Sequence, residues 1–318
     1  MNTFKLIFSG RLDFGSQRSY EKVVQFYQQR SEDHYRNAVL LKPEEIFDEK
    51  ELALIVPRRI WPEANEKHWR NTVKLLQYVA QFAVAGVFKV WVIKDRQLVD
   101  RFFIEPESDK GAVVAFRKGR ALLDQRGQEM EARAALDKAI AKFERHSMAY
   151  AYRGYVNYRL QNFDDAYYDF TKSIHLHEGN AEAWLGRARV YMRRQEWAKA
   201  ISDLEQALKC SIPHEPIYWE SRRLKGQCHM KEHSWEAAVN DFQLILRRVF
   251  KEDDPNYRFV PEVWAALGSA LKVLNRLEEA KNAFDRYMVE VQKRDMEPDV
   301  DILSVRNTVI DQLAKVAG

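Results

Sequence analysis

Four cations and a tyrosine recur in this chain at intervals that would gather them on one surface. Tyr155 and Arg189 stand 34 residues apart, and so do Arg159 and Arg193. Within each copy the two members are four residues apart, one helical turn, so on a helix they stack on the same side. Gln227 and Lys231 continue the series after an insertion, Arg120 and Asp124 precede it, and Ser269 and Val273 end it. Arginine grips a carboxylate through two parallel N–H bonds, and lysine adds a compact point charge. A strip of this composition suits an acidic segment or a chain end with a free carboxylate. Glu182, Glu220 and Glu262 lie close enough in sequence to offer the same cations internal partners. In that case the strip is an ion-paired, solvated face.

Other candidate chemistry is thinner. Cys210, His214, Cys228, His229 and His233 cluster, and two of their spacings resemble metal-ligand spacing. Without a paired C-x-x-C, however, packing of Cys228 and His229 in a helical core is the simpler reading, and no metal is expected. Gly-rich phosphate loops, nucleophile elbows and H-E-x-x-H are all missing. His34, His68 and Arg58-Arg59 are scattered, so no catalytic residue, enzyme activity or cofactor is expected. The 51 basic and 47 acidic residues, net +4, are too balanced to imply nucleic acid by themselves. They divide evenly: 18 and 16 in the first 110 residues, 33 and 31 after them. Two cysteines make no disulfide framework and fit a cytoplasmic setting. No apolar run reaches the ~18 residues of a membrane span, and the start at Met1 runs straight into a strand-like segment rather than a signal peptide.

The elements that must position the strip show an internal period. Ala132, Ala166 and Ala200 recur at 34, as do Leu136, Phe170 and Leu204. Gly154 lies twelve residues before Ala166, and Ala188 twelve before Ala200. Gly226 with Ala238 and Phe242, and Gly268 with Ala280 and Phe284, keep that internal spacing. This gives five copies over residues 111–292, with insertions at 211–218 and 250–259. Each copy reads as a helix pair in which a small residue on one helix receives a bulky one from the other. No single pair can bury its apolar face, but a stack can.

Trp184, Ala188, Tyr191, Ala200, Leu204 and Ala207, and again Trp264, Leu267, Gly268, Ala280 and Phe284, resemble the tetratricopeptide repeat. The resemblance implies an all-α solenoid whose inner helices line a concave groove. It also implies a protein-interaction scaffold or adaptor whose partner-binding residues are Tyr155, Arg159, Arg189, Arg193, Lys231, Arg120 and Gln227. The family's tail clamp uses Lys and Asn where this chain has Phe116 and Arg120, so that particular activity is not implied. Beyond the last copy, residues 298–317 carry apolar positions at helical spacing, as a capping helix would.

Residues 1–108 follow another pattern: strand at Phe4–Phe8, helix around Tyr20–Tyr27, a weak strand at Ala38–Leu41, a strand at Leu52–Val56 stopped by Pro57. A long helix from Trp69 then ends at Gly86, and two strands flank Lys94–Gln97. This order suggests a small α+β domain of the ferredoxin-like kind, with helices on one face of a sheet. It would add a second contact, joining two partners or forming a homo-oligomer. The alternative function is RNA binding or regulation, with Phe88, Trp91 and Phe102-Phe103 stacking bases on the sheet. The Lys/Arg-Gly-Phe run of that module is missing, so a protein is the expected partner.

Overall fold

The computed structural model describes residues 3–317. The chain divides into two compact units, Met1–Gly186 and Arg187–Gly318. In the first, the elements run β1 (Thr3–Asp13), α1 (Gln17–Gln29), α2 (Pro43–Ile46), β2 (Phe47–Asp48), β3 (Ala53–Asn65), α3 (Glu66–Ala80), β4 (Ala85–Lys94) and β5 (Gln97–Ile104). Then follow the helices α4 (Gly111–Leu122), α5 (Glu129–Lys142), α6 (Ser147–Arg159) and α7 (Phe163–Leu176). Helix α8 (Ala181–Arg193) crosses into the second unit. There α9 (Trp197–Cys210), α10 (Pro216–Lys231), α11 (Trp235–Leu246), α12 (Val260–Val273), α13 (Leu277–Lys293) and α14 (Val300–Ala317) complete the chain.

The sheet is antiparallel throughout, in the order β2-β3-β1-β4-β5. Its first four strands, with α1 and α3 between them, follow the β-α-β-β-α-β order of the ferredoxin-like motif, and β5 adds a hairpin partner at the edge. One face of the sheet (Leu6, Phe8, Leu54, Val56, Phe88, Val90 and Val92) is buried against Tyr20, Val23 and Tyr27 of α1 and Trp69, Val73, Leu76 and Val79 of α3. Ser16 caps α1 by accepting the Ser19 N–H, and Asn65 caps α3 through Lys67.

Three local expectations are corrected here. Pro57 does not stop its strand. β3 runs on to Asn65, because β2 pairs only with Ala53 and Leu54 and a register shift opposite Phe8 and Gly10 takes up the proline. Ala38–Leu41 is not a strand, since side chains satisfy its backbone instead. Thr72 Oγ1 accepts the Leu40 N–H (2.8 Å), Tyr27 donates to the Leu41 carbonyl (2.7 Å) and Asn71 to that of Ala38 (2.9 Å). Gly86 is not a helix cap but lies in β4, at φ 108, where a Cβ would come within 2.1 Å of the Arg11 carbonyl on β1.

In the helix pairs the small-to-bulky contact is direct. A Cβ on Gly226 would lie 2.5 Å from the Phe242 ring, and one on Gly268 2.8 Å from Phe284. Both rings are fully buried, each burial worth ~2–3 kcal/mol. The turns repeat as well: Gln161, Gln195, His233 and Asn275 each take positive φ (56 to 62°) where one helix of a pair ends. Helix α14 lays Ile302, Val305, Val309 and Leu313 against the core of the last pairs. No helix among the described residues is long and apolar enough to cross a membrane.

Candidate partner-docking site

The cations of the strip are held by particular acids, and the two units hold them differently. In the first unit, Arg120 on α4 donates through Nη1 to Glu105 Oε1 at 2.5 Å, in the segment that follows β5. Arg159, at the end of α6, donates to the Leu123 carbonyl (2.9 Å) and pairs with Glu129 at the start of α5. Tyr155 stays 39% exposed. Both arginines here are therefore engaged by their own chain. Within this unit the sheet also packs on the first helix pairs. Val87 of β4 lies against the cluster formed by Ala115, Phe116, Leu136 and Val156. Lys89 reaches Glu182 (3.3 Å), and the buried Arg11 ties Asp13 (2.8 Å), Glu51 (3.0 Å) and the Leu176 carbonyl (3.4 Å).

In the second unit two glutamates, Glu220 and Glu262, each serve more than one side chain. Arg189 on α8 pairs with Glu220 of α10 at 2.5 Å. Gln227 donates to Glu262 of α12, and Arg223 lies 3.4 Å from the same Glu262 and 4.0 Å from Glu220. Arg223 is buried, and its guanidinium stacks 3.9 Å from the centre of the Phe259 ring, which Arg258 approaches on its own at 4.6 Å. Burial, with Arg189 and Arg258 as like charges nearby, holds the Arg223 pKa below its ordinary value even against Glu262 and Glu220. Its Nε finds no acceptor among the described residues. Lys231, one turn beyond Gln227, is exposed, as is Arg193 at the end of α8. Farther along, Ser269 turns its hydroxyl onto the Ala265 carbonyl (2.9 Å) and Val273 is exposed.

A second set of ions was not read from the sequence. Arg153 grips Asp169 through two bonds of 3.0 and 2.6 Å, and Arg187 grips Asp203 at 2.7 and 2.9 Å. Asp241 is held by Arg222 at 2.7 Å, with Lys225 at 3.6 Å. Each aspartate is buried, and burial raises its pKa against the opposing pull of its cation. These pairs link the two helices of a copy and face inward, so they belong to the scaffold. The signal was present: a cation directly precedes Gly154, Ala188 and Gly226, and an aspartate directly precedes Phe170, Leu204 and Phe242.

The remaining candidates are used in packing. Cys228 is buried in α10, its thiol pushed up to about 12 by burial. His229 stands 3.8 Å from Asp241, and His233 lies in the turn against Trp235. Among the described residues no group of three or more His, Cys, Asp or Glu comes together to hold a metal. Of the aromatics offered for base stacking, Phe88 and Trp91 are buried and Phe102 leans on Trp69 (6.1 Å), leaving Phe103 open. The insertion aromatics also pack inward. Trp219 meets Phe250 edge-on at 5.8 Å, and Tyr257 lies 4.1 Å under Arg294.

Comparison with known proteins bears on the helix pairs that carry these residues. Two models of the tetratricopeptide repeat match the chain, over residues 116–181 and 181–211. Among solved structures it is similar to PilF of Pseudomonas aeruginosa, at 16% identity and a TM-score of 0.51, covering 65% of this chain and 92% of that one. MamA of Desulfovibrio magneticus RS-1 follows at 17% and 0.49, covering 59% and 98%. YrrB, described as a TPR protein with an unusual peptide-binding site, stands at 19% and 0.47, covering 61% and 90%. At 16% identity the likeness to PilF is one of fold.

Proposed function

We propose that this chain, which carries tetratricopeptide repeats over residues 116–211, is a non-catalytic scaffold that docks an acidic segment of a protein partner on α8, α10 and α12. The observation that carries this reading is the charge imbalance around Arg223. Glu220 and Glu262 are shared among Arg189, Arg223 and Gln227, while Arg258 adds a further positive charge. A carboxylate arriving there would meet arginines already oriented by Phe259 and Glu220, and would relieve like-charge repulsion. Arg120 and Arg159 are each held by one acid of the first unit, Glu105 and Glu129, so docking centres on the second-unit strip, where Arg189 and Arg223 share Glu220. Tyr155 offers an open hydroxyl-bearing ring in the first unit. Among the described residues no comparable cluster favours catalysis, RNA binding or homo-oligomer formation.

The test is a selection of randomised displayed peptides on the intact chain. Enrichment of Asp- and Glu-rich sequences, with binding that weakens as salt rises, is the expected result. Enrichment of neutral or basic sequences would overturn the reading.

A further inference from the structure

A second surface, remote in sequence from Arg189 and Arg193, lies wholly within the second unit. Helices α11 and α13 leave between them a cleft of about 480 Å³, floored by Leu246, Trp264, Leu267, Leu271 and Ala283. Its rim carries Gln243, Arg247, Glu279, Asn282 and Arg286.

Three features separate this cleft from an ordinary crevice. First, its tryptophan differs from Trp184, which holds the same place in its repeat four residues before the small position, and from Trp219, one turn earlier in its own repeat. Trp184 donates its indole N–H to the Glu178 carbonyl and Trp219 donates to that of Pro213, each six residues earlier and at 2.7 Å. Among the described residues nothing accepts the indole N–H of Trp264, which lines the cleft half-buried. Second, neither Arg247 nor Arg286 has an ion-pair partner among the described residues, and both are exposed. Third, the one carboxylate on the rim is already taken. Glu279 is gripped by Arg276 through two bonds of 2.7 and 2.8 Å. The cleft therefore offers an apolar floor, an indole N–H with no acceptor among the described residues and two arginines with no ion-pair partner there.

We propose that this cleft is a second docking site, for an acidic partner segment that inserts one large aromatic or aliphatic side chain between α11 and α13. The apolar side chain fills the floor against Leu267 and Leu271. A backbone carbonyl of the segment accepts the Trp264 N–H, and flanking carboxylates meet Arg247 and Arg286. Such a segment is drawn by charge and held by burial, the usual division of labour between rim and centre of an interface.

The experiment titrates the intact chain with a fluorescein-labelled peptide Glu-Asp-Glu-Trp-Leu-Asp-Glu-Glu, following anisotropy. It is repeated with Arg247→Glu/Arg286→Glu and, separately, with Arg189→Glu/Lys231→Glu. A Trp264→Phe variant assigns the indole N–H resonance in the spectrum of the wild-type chain. At the cleft the expected result is a loss of affinity of about tenfold or more in the first variant. The Trp264 N–H resonance of the wild-type chain should shift on saturation. A peptide with Trp and Leu replaced by Ser should leave that resonance unmoved. The proposal is overturned if the Trp264 resonance stays still at saturating peptide, or if Arg247→Glu/Arg286→Glu binds as the wild type does. It is also overturned if the wild-type chain sediments as a dimer that this variant dissociates, since the cleft would then hold a second copy. Loss confined to Arg189→Glu/Lys231→Glu would uphold the site on α8 and α10 and overturn this one.

Discussion

His146 makes the first helix pairs of this protein sensitive to acid. It lies directly before α6, 1% exposed, and its Nδ1 accepts the Ala149 N–H at 3.2 Å, serving as the N-cap of that helix. Its ring sits 4.6 Å from that of Phe116 on α4. An accepting Nδ1 places the imidazole proton on Nε2, which finds no acceptor among the described residues. Burial therefore pushes the pKa from the ordinary 6.5 down to about 4. Below pH 6.5 the unfolded chain binds a proton that the folded chain refuses, so stability rises with pH through this window and is lost as pH falls from 6.5 toward 4. The gap corresponds to about 3.4 kcal/mol, of which about 2 kcal/mol falls between pH 7 and pH 5. The chain has two units, so whole-chain unfolding would mix their transitions. The assay is instead hydrogen-exchange protection of residues 147–159, expressed as opening free energy at pH 7 and pH 5. His146→Asn keeps a capping acceptor and removes the titration. The wild type should lose about 2 kcal/mol more than this variant over that interval. Equal losses in the two proteins would refute the reasoning.

Other consequences follow from particular contacts. Asp169→Ala leaves Arg153 without its bidentate partner and Asn157 without an acceptor. It should lower the opening free energy of α6 and α7 by about 3–5 kcal/mol in the same exchange experiment. Gly186→Ala drives a Cβ to 2.2 Å from the Phe170 ring, an overpacking cost of about 1–3 kcal/mol, read as a lower opening free energy of α7 in the same exchange experiment. Gln195→Gly relieves a positive φ of 59° in the turn after α8 and should raise the midpoint of the second unit, by about 1 kcal/mol. A lowered midpoint would mean that the Gln195 side chain holds the turn.

The repeats could be read from sequence because their packing leaves little choice. Where Gly226 and Gly268 touch Phe242 and Phe284, no larger residue fits, so the spacing of small and bulky residues records the helix pairs directly. The same holds for the alternating core residues of β1 and β4. Reading was less sure where a distant group decides the outcome. The backbone of Ala38–Leu41 is satisfied by Thr72, Tyr27 and Asn71, and Pro57 sits in β3 because of a register shift on β1. The positions of the strip cations were visible, but their partners were only partly so. Glu220 and Glu262 were candidates from the start, whereas Glu105 and Glu129 come from other elements. The cleft beside Trp264 rests on a hydrogen bond that Trp184 and Trp219 make and Trp264 does not, which a residue pattern cannot express.

The central claim is that the surplus positive charge around Arg223 receives an acidic partner segment. Its most direct test is the affinity of the best selected acidic peptide for the intact chain against Arg189→Glu/Lys231→Glu/Arg258→Glu, after circular dichroism confirms that the variant is folded. Three charge reversals at the site should weaken binding by about a hundredfold at moderate salt, with the difference shrinking as salt rises. Equal affinities for the two proteins, with the variant folded, would contradict the account.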